Sequence, residues 1–165
     1  EIDFDIPKTS NLEIKKRLDK TILILSSDSG SSYLNSDGTA LDKISTEIAM
    51  LLVQQNTTLT PIEAEEITSS KKGSEYRGRA LPLMKVISKN EKDKLINVYL
   101  NIYSGEVTAI RSMQWKIWDV MWGFHIMDWQ ERDNIDNLFL KIFSILALVS
   151  SITGILLFFK IDFKK

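Results

Sequence analysis

Cysteine is absent from this chain of 165 residues, and histidine occurs only once, at His125. The absence of cysteine excludes disulfides, iron–sulfur ligation, thiolate zinc sites and cysteine nucleophiles within the chain. It does not fix the compartment, because a cysteine-free domain tolerates both oxidising and reducing surroundings. With one histidine, the chain cannot hold a haem between two of its own histidines, and a metal site of its own would have to use carboxylates.

The charge is nearly balanced, with 21 basic and 22 acidic residues and a net charge of −1. No long basic run or arginine stripe is present, so we expect no nucleic-acid partner. Glu63, Glu65 and Glu66 crowd one short segment, but they are typical of a solvated helix start rather than of an acid–base pair. The one histidine lies close to the long apolar run, so we do not expect it to belong to a Ser–His–Asp catalytic triad. We therefore find no catalytic constellation and expect a protein that is not an enzyme.

The longest uncharged stretch covers residues 142–159, and three more apolar residues precede Lys141. A helix rises about 1.5 Å per residue and needs roughly 20 apolar residues to cross a membrane. Residues 138–160 are therefore predicted to form one C-terminal transmembrane helix. Lys160, Lys164 and Lys165 place the tail, residues 161–165, in the cytoplasm by the positive-inside rule. The preceding domain is then expected outside the cytoplasm, and a signal or hydrophobic helix before Glu1 stays open.

Small residues recur along one side of this predicted span. They let transmembrane helices approach closely, although serine and glycine are also ordinary components of such helices. We interpret this stripe as a helix-packing face. Its residues are Ala147, Ser150, Ser151 and Gly154.

The water-exposed part is predicted to contain two segments. Residues 1–38 should form an N-terminal stalk or short helix over 1–20, followed by a β-hairpin. Residues 39–111 should form an α+β domain, which begins with an amphipathic helix over about 39–55.

Within residues 39–111, a second helix over 61–70 is expected. Thr60 can cap it, Pro61 suits its first position, and Glu63 completes a capping box. Three antiparallel strands should follow, at 81–88, 95–103 and 106–111, because apolar residues alternate there between turn signals.

All four tryptophans fall within a predicted helix over residues 112–129, which a charged connector joins to the span at residue 137. At 100° per residue they share an arc of about 60°, with His125 beside it. Tryptophan favours the membrane–water interface, so this segment is expected to lie on the bilayer or under the domain. Alternatively it binds another membrane subunit, since aromatic residues also anchor interfaces. The tryptophans are Trp115, Trp118, Trp122 and Trp129.

The order of these features resembles the PepSY domain with its associated transmembrane helix. The match extends over roughly residues 40–160. In its strand–turn–strand segment, Asn101 and Ile102 stand where the family usually has aspartate and proline, and Ser104 replaces a threonine. The segments that carry the resemblance are 60–67, 98–107, 118–128 and 151–154.

The resemblance implies an α+β fold, in which helices pack on an antiparallel meander to form a small PepSY-like domain. An interfacial helix and one transmembrane helix follow this domain. PepSY domains are mostly non-catalytic, and they are proposed to regulate peptidases near the cell surface. Relatives with several such helices occur in inner-membrane reductases that carry haem. The resemblance therefore implies a bacterial inner membrane and a periplasmic domain.

Three hypotheses follow for the function. The first is a non-enzymatic accessory subunit that docks on a larger inner-membrane complex, of redox or respiratory type. The second is a haem-linked electron-transfer component, in which His125 contacts a haem that is held with a partner; the chain alone would hold no cofactor. The third is a periplasmic regulator of a peptidase. The expected partners are the lipid bilayer and other membrane subunits.

Overall fold

The computed structural model describes residues 11–28 and 30–162, and the chain divides into two compact units, Glu1–Met113 and Gln114–Lys165. The first unit is α+β, with two antiparallel sheets and one helix between them in the chain. Its elements are β1 (Asn11–Arg17), β2 (Lys20–Ser27), β3 (Gly30–Asn35), α1 (Thr46–Asn56), β4 (Thr60–Ile67), β5 (Leu83–Lys89), β6 (Leu95–Asn101) and β7 (Val107–Ser112). The helices α2 (Met113–His125) and α3 (Leu138–Asp162) follow.

The first sheet is a three-stranded meander in the order β1-β2-β3. The predicted β-hairpin is confirmed, because β2 pairs with β3 from Ile22 to Ser27. The stalk or short helix is wrong for residues 11–17, which form β1 and pair with β2 along their whole length. Leu12 and Ile14 alternate with charged residues there, and this period of two is typical of a strand. The earlier part of the predicted stalk, residues 1–10, lies outside the described residues.

The second sheet has the strand order β4-β5-β6-β7, and every pair is antiparallel. The three strands predicted between residues 81 and 111 are confirmed as β5, β6 and β7. The predicted first helix is also confirmed, but it begins at Thr46 rather than near residue 39. Ser45 caps it, since its hydroxyl accepts a 3.3 Å hydrogen bond from the backbone N–H of Ile48.

Residues 60–67 form strand β4, so the prediction of a helix over 61–70 is wrong. Among the described strands, β4 lies at the edge of the second sheet and pairs only with β5. Proline is tolerated at a sheet edge or a bulge, and the register shifts between Pro61 and Glu63. A threonine–proline start followed by acidic residues therefore suits this edge strand as well as a helix, and pairing with β5 decides the outcome.

Each face of the second sheet contributes residues to a buried apolar cluster. On one face, α1 packs over a core that includes Val53, Val86 and Val98. On the other face, Tyr76 from the β4–β5 connection covers Leu83 and Tyr99. Among the described elements, α1 is the only helix of the first unit, so the prediction of several helices on the meander is wrong.

Polar and aromatic contacts join the two sheets of the first unit. The rings of Tyr33 and Tyr103 stack with their centroids 5.2 Å apart. Arg17 Nη1 donates a 2.7 Å hydrogen bond to the carbonyl oxygen of Tyr103, and Lys15 pairs with Glu106 at 2.6 Å. The first sheet is therefore part of the same compact unit as the second.

The second unit consists of two helices and the segment between them. The predicted aromatic helix is confirmed, but α2 ends at His125 and not at residue 129. α3 confirms the predicted apolar helix, and Leu138–Lys160 is long and apolar enough to cross a membrane. None of the apolar window of α3 is buried within the protein.

Candidate functional site

The outward side of α2 is mostly apolar, which is unusual for a helix in contact with water. Ile117 is 59% exposed and Phe124 is 57% exposed. The exposed apolar residues of α2 are Met113, Ile117, Trp118, Val120, Met121, Trp122 and Phe124. Contiguous apolar patches of this kind mark binding sites for proteins, ligands or membranes.

The inward side of α2 carries the residues that a water-exposed helix would normally turn outward. Asp119 is only 2% exposed and Gly123 is also buried. The helix is therefore largely inverted, because Asp119 and Gly123 lie inside while large apolar residues, together with Gln114 and His125, lie outside.

Asp119 forms an ion pair with Arg132, which comes from the connection between α2 and α3. Arg132 Nη1 lies 2.9 Å from Asp119 Oδ2, and the arginine side chain is about one-fifth exposed. A buried carboxylate is costly unless it is paired and hydrogen-bonded. The pair therefore holds the connection against the inward side of α2.

Gly123 lets this connection approach α2 closely. A β-carbon at this position would lie 2.6 Å from Arg132 Cγ and 2.9 Å from the backbone oxygen of Asp128. Real β-carbons are not found that close to other atoms, so glycine is the residue that fits here.

The connection, residues 126–137, is called the elbow here, and Asp128 organises its turn. The Asp128 carboxylate accepts backbone hydrogen bonds from Asn134 at 3.0 Å and from Glu131 and Asp133 at 3.2 Å. Burial alone would raise the pKa of Asp128, but these backbone hydrogen bonds outweigh it and hold the pKa below its usual value.

Asn137 joins the elbow to both helices. Its Nδ2 donates hydrogen bonds to the carbonyl oxygens of Ile126, at 2.7 Å, and Asn134, at 2.8 Å. Its Oδ1 accepts a 2.9 Å hydrogen bond from the backbone N–H of Leu140 and so caps the start of α3. The Asn137 amide is thus hydrogen-bonded at both its nitrogen and its oxygen where the chain enters its apolar segment.

The predicted arc of four tryptophans is wrong for Trp129, because α2 ends before it. Trp129 lies in the elbow and contacts Phe124 and Phe139, with ring centroids 6.2 and 6.1 Å apart. Trp118 and Trp122 do share a side of α2 and stack at 5.8 Å. Trp115 is half-buried toward the inward side.

His125 is exposed at the end of α2, where its ring centroid lies 5.9 Å from that of Trp122. Its suggested contact with a partner or a haem stays a prediction. Over the described residues, no three histidine, aspartate or glutamate side chains are close enough together to hold a metal ion.

The predicted packing residues of α3 lie on its exposed surface. Ser151 Oγ donates a 2.8 Å hydrogen bond to the carbonyl oxygen of Ala147, so its hydroxyl is satisfied within the helix. A β-carbon on Gly154 would meet no atom within 4 Å. The face is therefore open to a second helix, and the packing role of Ala147, Ser150, Ser151 and Gly154 stays a prediction.

The first unit contains a cluster of hydrogen-bonded side chains around one carboxylate, that of Glu75, which the sequence analysis did not predict. Glu75 Oε2 accepts hydrogen bonds from Asn97 Nδ2 at 2.8 Å and from the Tyr99 hydroxyl at 3.1 Å. Arg111 Nε donates to the carbonyl oxygen of Glu75 at 3.0 Å. Burial, with the nearby Glu75 charge, raises the pKa of Tyr99. The cluster fixes the β4–β5 connection on the sheet.

The residues missed in the second unit are Asp119, Gly123, Asp128, Arg132 and Asn137. Two of them carried a signal: Asp119 is an isolated charge in an aromatic helix, and Asn137 is a good cap directly before an apolar run. The other contacts depend on the path of the elbow, which no local pattern indicates.

Comparisons of the chain with protein-family models, with curated proteins and with solved structures found no match.

Proposed function

We propose that the protein is a non-enzymatic, membrane-anchored accessory subunit, which docks on a larger membrane complex. The observation that carries this proposal is the surface of α3. The helix is long and apolar enough to span a bilayer, and its apolar window makes no buried contact within the protein. A helix of this kind is stable only in lipid or against other apolar helices.

Two features support an accessory role. The small-residue face around Gly154 is open, and small residues allow a partner helix to pack closely. The chemistry seen in the first unit is structural, since the Glu75 carboxylate serves as a hydrogen-bond acceptor for side chains of the sheet. The lysines after the span favour a tail in the cytoplasm and an α+β unit outside it. The resemblance to PepSY proteins supports a bacterial inner membrane as the location.

The PepSY-like identity of the first unit belongs to this proposal. It is supported by the order of the segments along the chain, including the strand–turn–strand of β6 and β7. The segment that resembled the opening PepSY helix, residues 60–67, is a strand here.

A haem-linked electron-transfer component is the second candidate. The exposed ring of His125 beside Trp122 favours it, because an accessible imidazole can ligate a haem iron that a partner holds. In that case this chain supplies one axial ligand and the partner supplies the rest of the site.

Native mass spectrometry of the tagged chain, extracted from its own membranes in a mild detergent, tests the proposal. We expect the chain in complex with other subunits, and a haem mass in that complex would favour the electron-transfer candidate. A monomer or homodimer alone would overturn the accessory role and favour regulation of a peptidase.

Two variants make this test specific. Gly154→Leu adds bulk to the open face and should weaken assembly. Leu156→Phe adds bulk about 200° away around the helix and should leave assembly unchanged. Equal effects of both variants would show that Gly154 is not a packing contact.

A further inference from the structure

We propose that α2 is a second membrane-bound element, which lies in the surface of the bilayer with its exposed apolar side against lipid. This inference rests on the proposed membrane anchoring and names the partner of the α2 surface. A single spanning helix would hold the protein by itself, so α2 adds a contact that fixes how the chain meets the membrane.

The inverted polarity of α2 is the first argument. In water, a helix turns its charged and small residues outward and its large apolar residues inward. α2 does the reverse, because Asp119 is buried while Ile117 and Phe124 are more than half exposed. This arrangement is more favourable in lipid than in water, because the acyl chains solvate the apolar outward side while the carboxylate stays paired with Arg132.

Continuity with α3 is the second argument. The elbow is short, and Arg132, Asp128 and Asn137 fix it by side-chain contacts. Asn137 bonds to the carbonyl oxygen of Ile126, one residue after α2, and also caps α3. α2 therefore ends close to where the apolar span begins, at the level of the membrane surface.

The positions of the side chains around α2 define its rotation. Val120, Ile117 and Phe124 lie within about 60° of one another at 100° per residue. Trp118 and Trp122 lie about 120° and 160° from Phe124 on the same scale. We infer that the aliphatic and phenylalanine side chains face the acyl chains, while the indoles lie at headgroup level, where tryptophan is favoured.

The absence of cysteine makes a direct test possible with the chain of 165 residues. Single cysteines placed at Ile117, Phe124 or Ser36 would carry a nitroxide spin label in vesicles of phosphatidylcholine and phosphatidylglycerol. Collisions with oxygen, which concentrates in lipid, and with a water-soluble nickel chelate report the surroundings of each label. Ser36 is the control for a label in water, because it is exposed in the first unit and is not part of α2.

We expect the ratio of oxygen to nickel accessibility at Ile117 and Phe124 to be several-fold higher than at Ser36. High nickel accessibility at Ile117 and Phe124 would place α2 in water and overturn the inference. Labels there that neither reagent reaches would show that protein, such as a second copy, covers α2, and would overturn it equally.

A label at Leu148, in the middle of α3, separates this inference from the proposed function. Leu148 is exposed on the span and should be accessible to oxygen alone. If Leu148 behaves in this way while Ile117 does not, the anchor stands and the inference about α2 fails. If Leu148 is accessible to nickel, the membrane anchoring itself fails.

Discussion

Asp119 and Arg132 form an ion pair between α2 and the elbow, with the carboxylate almost fully buried and the guanidinium partly exposed. The pair points a charged helix residue away from the apolar exterior of the second unit. Burying the Asp119 carboxylate is unfavourable without a partner, and Arg132 supplies that partner. The ion pair therefore allows α2 to keep Asp119 inside and its large apolar residues outside.

We predict that Asp119→Ala destabilises the second unit by up to about 3 kcal/mol, because breaking a buried pair leaves the remaining charge poorly solvated. Thermal unfolding in detergent, followed by tryptophan fluorescence, measures this effect. All four tryptophans lie between residues 115 and 129, so the signal reports the second unit alone.

Asp136→Ala is the control for this prediction. Asp136 also pairs with a basic residue, Lys141, but both side chains are mostly exposed. An exposed pair contributes about 0–1 kcal/mol. Comparable losses from the two substitutions would mean that the Asp119 pair does not hold the elbow.

Gly123→Ala should destabilise the same unit. Alanine gains about 1 kcal/mol of helix propensity over glycine, but its β-carbon would overlap Arg132 and the Asp128 backbone. Overpacking of this kind costs about 1–3 kcal/mol, and the backbone contact cannot be relieved by a rotamer change. Gly154→Ala, whose β-carbon meets no atom within 4 Å, keeps the propensity gain without an overlap and should not destabilise the second unit. A stabilised Gly123→Ala protein would contradict the described path of the elbow.

Two buried serines of the first unit should respond in opposite directions to alanine. Over the described residues, the Ser88 hydroxyl has no hydrogen-bond partner, so Ser88→Ala should stabilise the unit by about 1 kcal/mol. Ser104 Oγ accepts a 3.3 Å hydrogen bond from the backbone N–H of Glu106, so Ser104→Ala should destabilise it by about 1 kcal/mol. Hydrogen exchange of the β6 amides measures both changes. A loss of protection in Ser88→Ala would reveal a partner for that hydroxyl.

The elbow should lose stability in acid through Asp128. Its pKa is lower in the folded protein than the ordinary value of 3.8, so its ionised form stabilises the fold. This stabilisation is fully present when the pH is above the ordinary pKa of an aspartate. It disappears as the pH falls through the lower pKa that Asp128 has in the folded protein. In Asp128→Asn the midpoint of tryptophan-monitored unfolding should be lower at about pH 6, and it should approach that of the unmodified chain in acid. A constant difference between the two proteins at every pH would contradict this role.

Local patterns predicted the strands β5, β6 and β7, the helix α1 and the apolar span, because each has a clear period or length. They failed where the same local sequence pattern is compatible with both a helix and a strand. Thr60 and Pro61 satisfy the rules for a helix start, yet the bulge beside Pro61 and pairing with β5 make the segment an edge strand. In β1, Leu12 and Ile14 carried the correct period, but the surrounding charges concealed it.

The candidate site was predictable only in part. The clustering of the tryptophans indicated the importance of α2, and two of them do share one side. The end of α2 at His125 removed Trp129 from that side, and the inward position of Asp119 depends on Arg132, 13 residues later. A contact of that range follows from how the elbow folds, which local sequence does not determine.

The central claim is that α3 spans a membrane with the α+β unit on one side and the tail on the other. Single cysteines at Ser36, which is exposed in the first unit, and at Lys165 test it with a membrane-impermeant maleimide in sealed cells or spheroplasts. We predict that the reagent labels Ser36→Cys from outside, and labels Lys165→Cys only after the membrane is permeabilised. Labelling of both cysteines from the same side would show that α3 does not span the membrane.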